Sequence, residues 1–199
     1  MARVIAGEAG GRRLAVPAGR DTRPTSDRAR EGLFATIVSL TGSLARARVL
    51  DLYAGSGAVG LEALSRGAEH VLLVEAGARA ARVIRDNIEA IGLAGAEVVT
   101  DRVERVLARG PALSARGRGR YDVVFADPPY ALAGDEVSAM LQVLETKGWL
   151  APGALVIVER ATRSGPVSWP AGFEPDRARR YGEATLWYGR APDNLLTEP

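Results

Sequence analysis

Four consecutive residues, Asp127-Pro128-Pro129-Tyr130, follow directly on the apolar run Tyr121-Asp122-Val123-Val124-Phe125-Ala126. Their types suit the capture of a planar amino group. The lone pair of an amine on an aromatic base is delocalised into the ring, so the nitrogen becomes nucleophilic only when its hydrogens are gripped and it is drawn toward tetrahedral geometry. Two acceptors can do this. The Asp127 carboxylate is one, and the Pro128 carbonyl is the other, held by a ring-fixed φ with no N–H of its own to compete. Tyr130 adds a π-face on which a base can stack. A rigid Asp-Pro-Pro turn without chemistry is the plainer reading of the same residues.

A second motif weighs against that plainer reading. Val49-Leu50-Asp51-Leu52-Tyr53 reads as a buried strand feeding the glycine turn Ala54-Gly55-Ser56-Gly57-Ala58-Val59-Gly60 and then the helical run Leu61-Glu62-Ala63-Leu64. Strand, glycine turn and helix in that order make a nucleotide-binding corner. Gly55-x-Gly57-x-x-Gly60 also spells the dinucleotide fingerprint, so an NAD enzyme is a competing expectation. Asp51 opposes it, because a carboxylate beside the glycines would repel a pyrophosphate. S-adenosylmethionine, with an ammonium, a sulfonium and no phosphate, fits such an acid. The next strand, His70-Val71-Leu72-Leu73-Val74, ends in Glu75, placed to accept from both ribose hydroxyls. That acid would serve either adenosine ligand.

The elements around these motifs alternate as an α/β chain should. Val4-Ile5-Ala6 and Arg13-Leu14-Ala15-Val16 flank Gly10-Gly11 as a hairpin would. Thr25 or Ser26 can cap a helix on which Ala29, Leu33, Phe34, Ile37 and Leu40 recur at helical spacing. A further helix through Ala80, Val83, Ile84, Asn87 and Ile91 stops at Gly92. Then come the strand Ala96–Thr100, a helix through Val103, Val106 and Leu107, the strand before the tetrad, a helix with Val137, Met140, Leu141 and Leu144, and the apolar strand Ala154–Val158. Continuous apolar runs of this kind suit a parallel sheet covered on both faces. Asp176–Tyr181 and Ala184–Tyr188 flank Gly182-Glu183 as an antiparallel hairpin. In an open parallel sheet the carboxyl ends of the strands share one edge, so Asp51, Gly55, Gly57, Glu75, Asp101 and Asp127 are expected to line one crevice.

The 199 residues are 47% hydrophobic, enough for one sizeable core. With no cysteine and His70 as the one histidine, thiol nucleophiles, zinc clusters and a serine-histidine triad are excluded as expectations. Catalysis must rest on carboxylates, carbonyls and positioning. No run suggests a membrane span or signal peptide, so a cytoplasmic protein is expected. The net charge of +2 hides an uneven distribution, since Arg3, Arg12, Arg13, Arg20, Arg23, Arg28 and Arg30 face only Glu8, Asp21 and Asp27 in the first thirty residues. Such an excess suits a phosphate backbone, with a solvated basic face as the alternative. Lys147 is the lone lysine, a skew that genomic base composition would produce everywhere. Arg116-Gly117-Arg118-Gly119-Arg120 reads as a short basic surface loop, and the scattered Trp149, Trp169 and Trp187 read as packing residues.

With these motifs in place, the chain resembles the RsmD-type 16S ribosomal RNA guanine-N2 methyltransferases of bacteria over nearly its whole length. The resemblance lies in Arg3-Val4-Ile5-Ala6-Gly7, Gly10-Gly11-Arg12-Arg13-Leu14, Thr22-Arg23-Pro24-Thr25-Ser26-Asp27-Arg28, Arg30-Glu31-Gly32-Leu33-Phe34, the glycine corner through Gly67, and the tetrad. It implies a Rossmann-like, seven-stranded class I methyltransferase sheet whose last strand runs antiparallel. It also implies a basic hairpin and RNA-binding extension over residues 1–24, a methyltransferase domain with its leading helix over 25–192, and a tail over 193–199. Asp127, Pro128, Pro129 and Tyr130 would be catalytic. Asp51, Tyr53, Gly55, Ser56, Gly57, Glu75, Asp101 and Arg102 would bind S-adenosylmethionine, with Asp51 answering the ammonium and Asp101 and Arg102 beside the adenine. Arg3, Arg12, Arg13, Arg23 and Arg28 would contact 16S ribosomal RNA, in the small subunit or its assembly intermediate, the protein acting as a monomer without a metal. Two other readings stand beside this one. They are a DNA adenine-N6 or protein glutamine methyltransferase with the same tetrad, and a noncatalytic RNA-binding module on the same fold.

Overall fold

The structure, a computed structural model, describes residues 2–17, 26–111 and 119–193. The chain divides into two compact units, Met1–Val103 and Glu104–Pro199. Seven strands form the mostly parallel sheet.

In the first unit a short antiparallel pair, β1 (Ala2–Arg3) and β2 (Arg13–Leu14), precedes helix α1 (Asp27–Thr41). There follow β3 (Arg48–Leu52), α2 (Ala58–Ser65), β4 (His70–Val74), α3 (Ala78–Ile91) and β5 (Ala96–Val99). β3 pairs with β4 and β4 with β5, all parallel, as the unbroken apolar runs require. Ser26 caps α1, its hydroxyl accepting from the Ala29 N–H at 3.2 Å. Gly92 ends α3 in the left-handed conformation that a Cβ disfavours, φ 65°. His70 opens β4 half-buried, and burial followed by the Arg48 charge lowers its pKa, which suits a structural, neutral imidazole.

The second unit begins with α4 (Val103–Ala108), whose first residue closes the unit before it. β6 (Tyr121–Ala126), α5 (Gly134–Thr146), β7 (Leu150–Ala161), β8 (Glu174–Tyr181) and β9 (Ala184–Arg190) follow. β6 runs parallel to β7, and the last strand, β9, is inserted antiparallel between β7 and β8. β7 starts earlier than the apolar run Ala154–Val158 predicts, through an irregular stretch with Gly153 at φ 65°. Trp149 packs as expected, donating from Nε1 to the Leu107 carbonyl at 3.0 Å and stacking on Tyr121 at 5.9 Å.

The amino-terminal hairpin differs from its expectation. Its strands are 2–3 and 13–14, not 4–6 and 13–16, because the backbone between them is committed elsewhere. The N–H groups of Ile5 and Ala6 donate to the Glu62 carboxylate at 2.6 and 3.0 Å, and that of Ala9 donates to Ser65 Oγ at 2.9 Å. Ladder pairing stops where those donors are taken. Gly7, at φ 86°, lies so close to α2 that a Cβ would sit 1.8 Å from the Ser65 carbonyl oxygen.

Glu62 is the anchor of this arrangement. It is fully buried, ion-paired with Arg66 at 2.7 Å and with the equally buried Arg30 at 3.9 Å. Arg66 in turn lies over the Phe34 ring of α1 at 4.9 Å. Removing the acid would leave two backbone donors unmatched and strip the buried Arg30 of one of its two carboxylate partners, Asp27 remaining at 3.0 Å. Glu62→Ala is therefore expected to destabilise the protein by about 3–5 kcal/mol in urea unfolding, and a loss below about 1 kcal/mol, the range of an exposed pair, would contradict this account.

Candidate active site

One candidate site lies at the carboxyl ends of β3, β4 and β5. Neighbouring parallel strands bring Asp51, Glu75 and Asp101 to one edge of this unit. Each acid has a distinct partner.

Asp51 is 1% exposed and accepts from the Gly60 N–H in the first turn of α2 at 2.9 Å. The protein's own carboxylate thus occupies a backbone donor that a dinucleotide site would offer to pyrophosphate. A phosphate brought there would find that donor already taken. Burial raises the Asp51 pKa to about 7, the Gly60 bond opposes the shift, and the Glu75 charge adds to it. The expected contact of Asp51 with an ammonium finds the side chain turned to α2.

Glu75 faces the glycine turn from the other strand. One carboxylate oxygen accepts from the Gly55 N–H at 2.9 Å and the other from the Gly77 N–H at 2.7 Å. A carboxylate has about four acceptor positions, so room remains for hydroxyl donors. Tyr53 and Gly55 both adopt positive φ, 60° and 57°. For a tyrosine this is a sparsely populated state costing roughly 1–3 kcal/mol, of the kind that clusters at ligand sites.

The glycines divide into two roles. A Cβ at Gly55 would meet only the Tyr53 carbonyl at 4.0 Å, so the turn is open there to a ligand. At Gly57 it would press on Leu73 and Ile84 at 3.0 and 3.1 Å, and at Gly60 on Val71 at 2.8 Å. Sequence reading places Gly57 among the residues that would bind S-adenosylmethionine. Its local requirement is the left-handed cap of α2 and packing beneath the turn. Asp101 is half-buried after β5, accepting from the Arg102 N–H at 2.8 Å, while Arg102 is exposed.

A second candidate site belongs to the other unit. Asp127 follows the buried end of β6 and is half-buried, Pro128 is buried, and Pro129 is exposed. Tyr130 is 46% exposed, an unusual surface position for a large ring. The turn closes through Pro129, whose carbonyl accepts from the Leu132 N–H at 2.8 Å, and among the described residues nothing donates to the Pro128 carbonyl. Sequence reading missed Arg160. This buried residue of β7 reaches the Leu132 carbonyl at 3.2 Å and steadies the chain after the tetrad. A strand-end arginine carries no sequence signal for that role.

Among the expected RNA contacts, Arg3, Arg13 and Arg28 are exposed. Arg3 also pairs with Asp27 at 3.2 Å. Arg12 is exposed too, yet its Nη1 donates to the carbonyls of Ala90 and Ile91 at 3.1 and 2.6 Å, capping α3. Arg23 lies outside the described residues, as does most of the Arg116–Arg120 tract.

Comparison with known proteins places this geometry. The family described as conserved hypothetical protein 95, the RsmD family, matches residues 2–190. The chain belongs to that family. Ribosomal RNA small subunit methyltransferase D of Escherichia coli K12 is 35% identical over 181 residues, 91% of this chain and 85% of that protein. The solved structure of yhhF from Escherichia coli superposes with a TM-score of 0.81 at 31% identity, covering 96% of this chain and 98% of the other. SMU.776, solved with S-adenosylhomocysteine (SAH), shares the fold at a TM-score of 0.59 and 17% identity, over 79% of this chain and 48% of that one. The Rossmann-like class I methyltransferase fold expected from sequence is the fold observed. No helix among the described residues is long and apolar enough to cross a membrane.

The raised pKa of Asp51 predicts a pH signature. Between the ordinary value of 3.8 and about 7 the folded state holds a proton that the unfolded chain has released, so this residue's contribution to stability falls as pH rises through that window and is flat above it. Asp51→Asn should remove the slope, leaving the variant progressively more stable than wild type toward neutral pH, by on the order of a few kcal/mol at most. Urea unfolding across the pH series reads this directly, and a pH-independent difference would refute it.

Proposed function

We propose that this protein transfers a methyl group from S-adenosylmethionine to the exocyclic N2 of a guanine in small-subunit (16S) ribosomal RNA. The observation that carries the reading is the tetrad, where a buried strand delivers a carboxylate, a proline carbonyl and an exposed tyrosine ring in succession. The relative named ribosomal RNA small subunit methyltransferase D supplies the substrate class. Guanine and its N2 rest on the resemblance to the RsmD-type enzymes.

The residues at the glycine turn fit the cofactor's chemistry. Gly55 has open space before it, Glu75 has acceptor capacity left for ribose hydroxyls, and Asp51 makes the turn inhospitable to phosphate. Tyr53, Ser56 and Gly57 shape that turn, and Asp101 with Arg102 is assigned to the adenine. When bound, S-adenosylmethionine supplies a methyl already activated as an electrophile, so no metal is called for. Asp127 and the Pro128 carbonyl accept the two hydrogens of the guanine amine and turn its lone pair outward. Tyr130 stacks on the base, extruded from an RNA loop. Much of the acceleration is positional. The amine proton leaves after transfer, to Asp127 or to water.

Arg3, Arg13 and Arg28, with Arg12 and Arg23 assigned beside them, would hold the RNA backbone. The proposed setting is a cytoplasmic monomer acting on the small subunit or its assembly intermediate. Methyl incorporation into small ribosomal subunits, duplex DNA and release factors, measured side by side, tests the substrate class. Labelling of the subunit alone is expected, and preferential labelling of DNA or release factor would replace the reading.

Two substitutions divide the roles. Asp127→Ala should nearly abolish single-turnover transfer while cofactor affinity stays within several-fold, because this acid grips the amine; a collapse of cofactor affinity would reassign it. Tyr130→Phe should keep most activity, whereas Tyr130→Ala should lose about 1–3 kcal/mol of substrate or transition-state binding. Thermal unfolding run in parallel separates stacking from packing. A Phe variant as impaired as the Ala variant would point to the hydroxyl instead.

A further inference from the structure

Asn87 of α3 is 2% exposed and makes three hydrogen bonds that join two parts of the first unit. Its Oδ1 accepts from the Ala15 N–H at 2.8 Å, and its Nδ2 donates to the Ala15 carbonyl at 3.0 Å and to the Ser56 carbonyl at 2.9 Å. Ala15 is thereby gripped at both backbone groups. Ser56 is the centre of the glycine turn.

Ala15 lies two residues beyond Arg13, which pairs in register with Arg3 in the amino-terminal strands. Both arginines are exposed. Arg12 fixes the same segment one turn further along α3, through the carbonyls of Ala90 and Ile91. The basic segment is therefore seated along α3, and one amide continues that seat into the turn assigned to the cofactor. A purely structural tie to the segment would need only the two bonds to Ala15.

We infer that Asn87 is a positioning residue that couples RNA engagement by the amino-terminal segment to the cofactor-binding conformation of the Gly55–Gly57 turn. The inference rests on the proposed function and adds a coupling that the function does not require. A shift of Ala15 under an RNA backbone moves the amide, and the amide moves the Ser56 carbonyl. By linkage, RNA then changes cofactor affinity and the cofactor changes RNA affinity by the same factor.

Calorimetric titration with S-adenosylhomocysteine, which has no methyl to transfer and so leaves the RNA unreacted, with and without saturating small ribosomal subunits, measures the coupling in wild type, Asn87→Ala and Asn87→Asp. Wild type should show an affinity ratio of about 5-fold or more, in the range of ordinary allosteric coupling, and both variants a ratio within about 2-fold of unity. Asn87→Asp is informative because it keeps the acceptor for Ala15 and loses both donors. A ratio that persists in the variants, or a wild-type ratio of unity, overturns the inference while leaving the functional reading intact. Wild type that binds no S-adenosylhomocysteine defeats that reading and the inference with it. Should the variants fail to fold, amide hydrogen exchange in wild type decides, since the cofactor alone should slow exchange of the Ala15 N–H several-fold and an unchanged rate overturns the coupling.

Discussion

The first unit depends on how buried acids and backbone N–H groups are matched around α2. A short helix that is buried along its whole length, as Ala58–Ser65 is, cannot rely on water to satisfy its first turn or the chain that crosses it. Asp51 takes the Gly60 donor, Glu75 takes Gly55 at the head of the turn, and Glu62 takes Ile5 and Ala6 at the far end. Each acid fixes a backbone segment. The same choice that satisfies the helix bears on the proposed ligand chemistry, because the Gly55 and Gly60 donors that a pyrophosphate would use are already taken by carboxylates.

The tetrad obeys a related logic with different parts. β6 is buried between Val123 and Ala126, so its direction is set by packing, and the chain emerges into a proline pair whose conformational freedom is small. Arg160 steadies the segment that follows. Little is left to reorganise in such a turn, which is the property that the proposed positional catalysis requires.

Elements carried by periodicity or by local chemistry were legible in the sequence. The apolar runs of β3, β4, β6 and β7, the Ser26 cap, the Gly92 stop and the antiparallel end of the sheet all follow from residue types within a few positions of one another. What sequence reading missed involves partners far apart in the chain. Glu62 meets Ile5 across 57 residues and Asn87 meets Ala15 across 72, and neither leaves a local pattern. The hairpin was misplaced for this reason, since alternation in Val4-Ile5-Ala6 cannot reveal that a glutamate side chain has claimed the donors. Gly57 and Gly60 show the complementary ambiguity, in which a fingerprint written for ligand approach is also the packing requirement of a helix laid on Leu73 and Val71.

The proposed cofactor chemistry turns on whether the acids around the glycine turn select S-adenosylmethionine over a dinucleotide. Parallel calorimetric titrations of the purified protein with S-adenosylmethionine and with NAD test it most directly. Saturable one-to-one binding of S-adenosylmethionine is expected, with no detectable heat of binding for NAD at the same concentrations. Saturable NAD binding, with S-adenosylmethionine failing to compete, would contradict it.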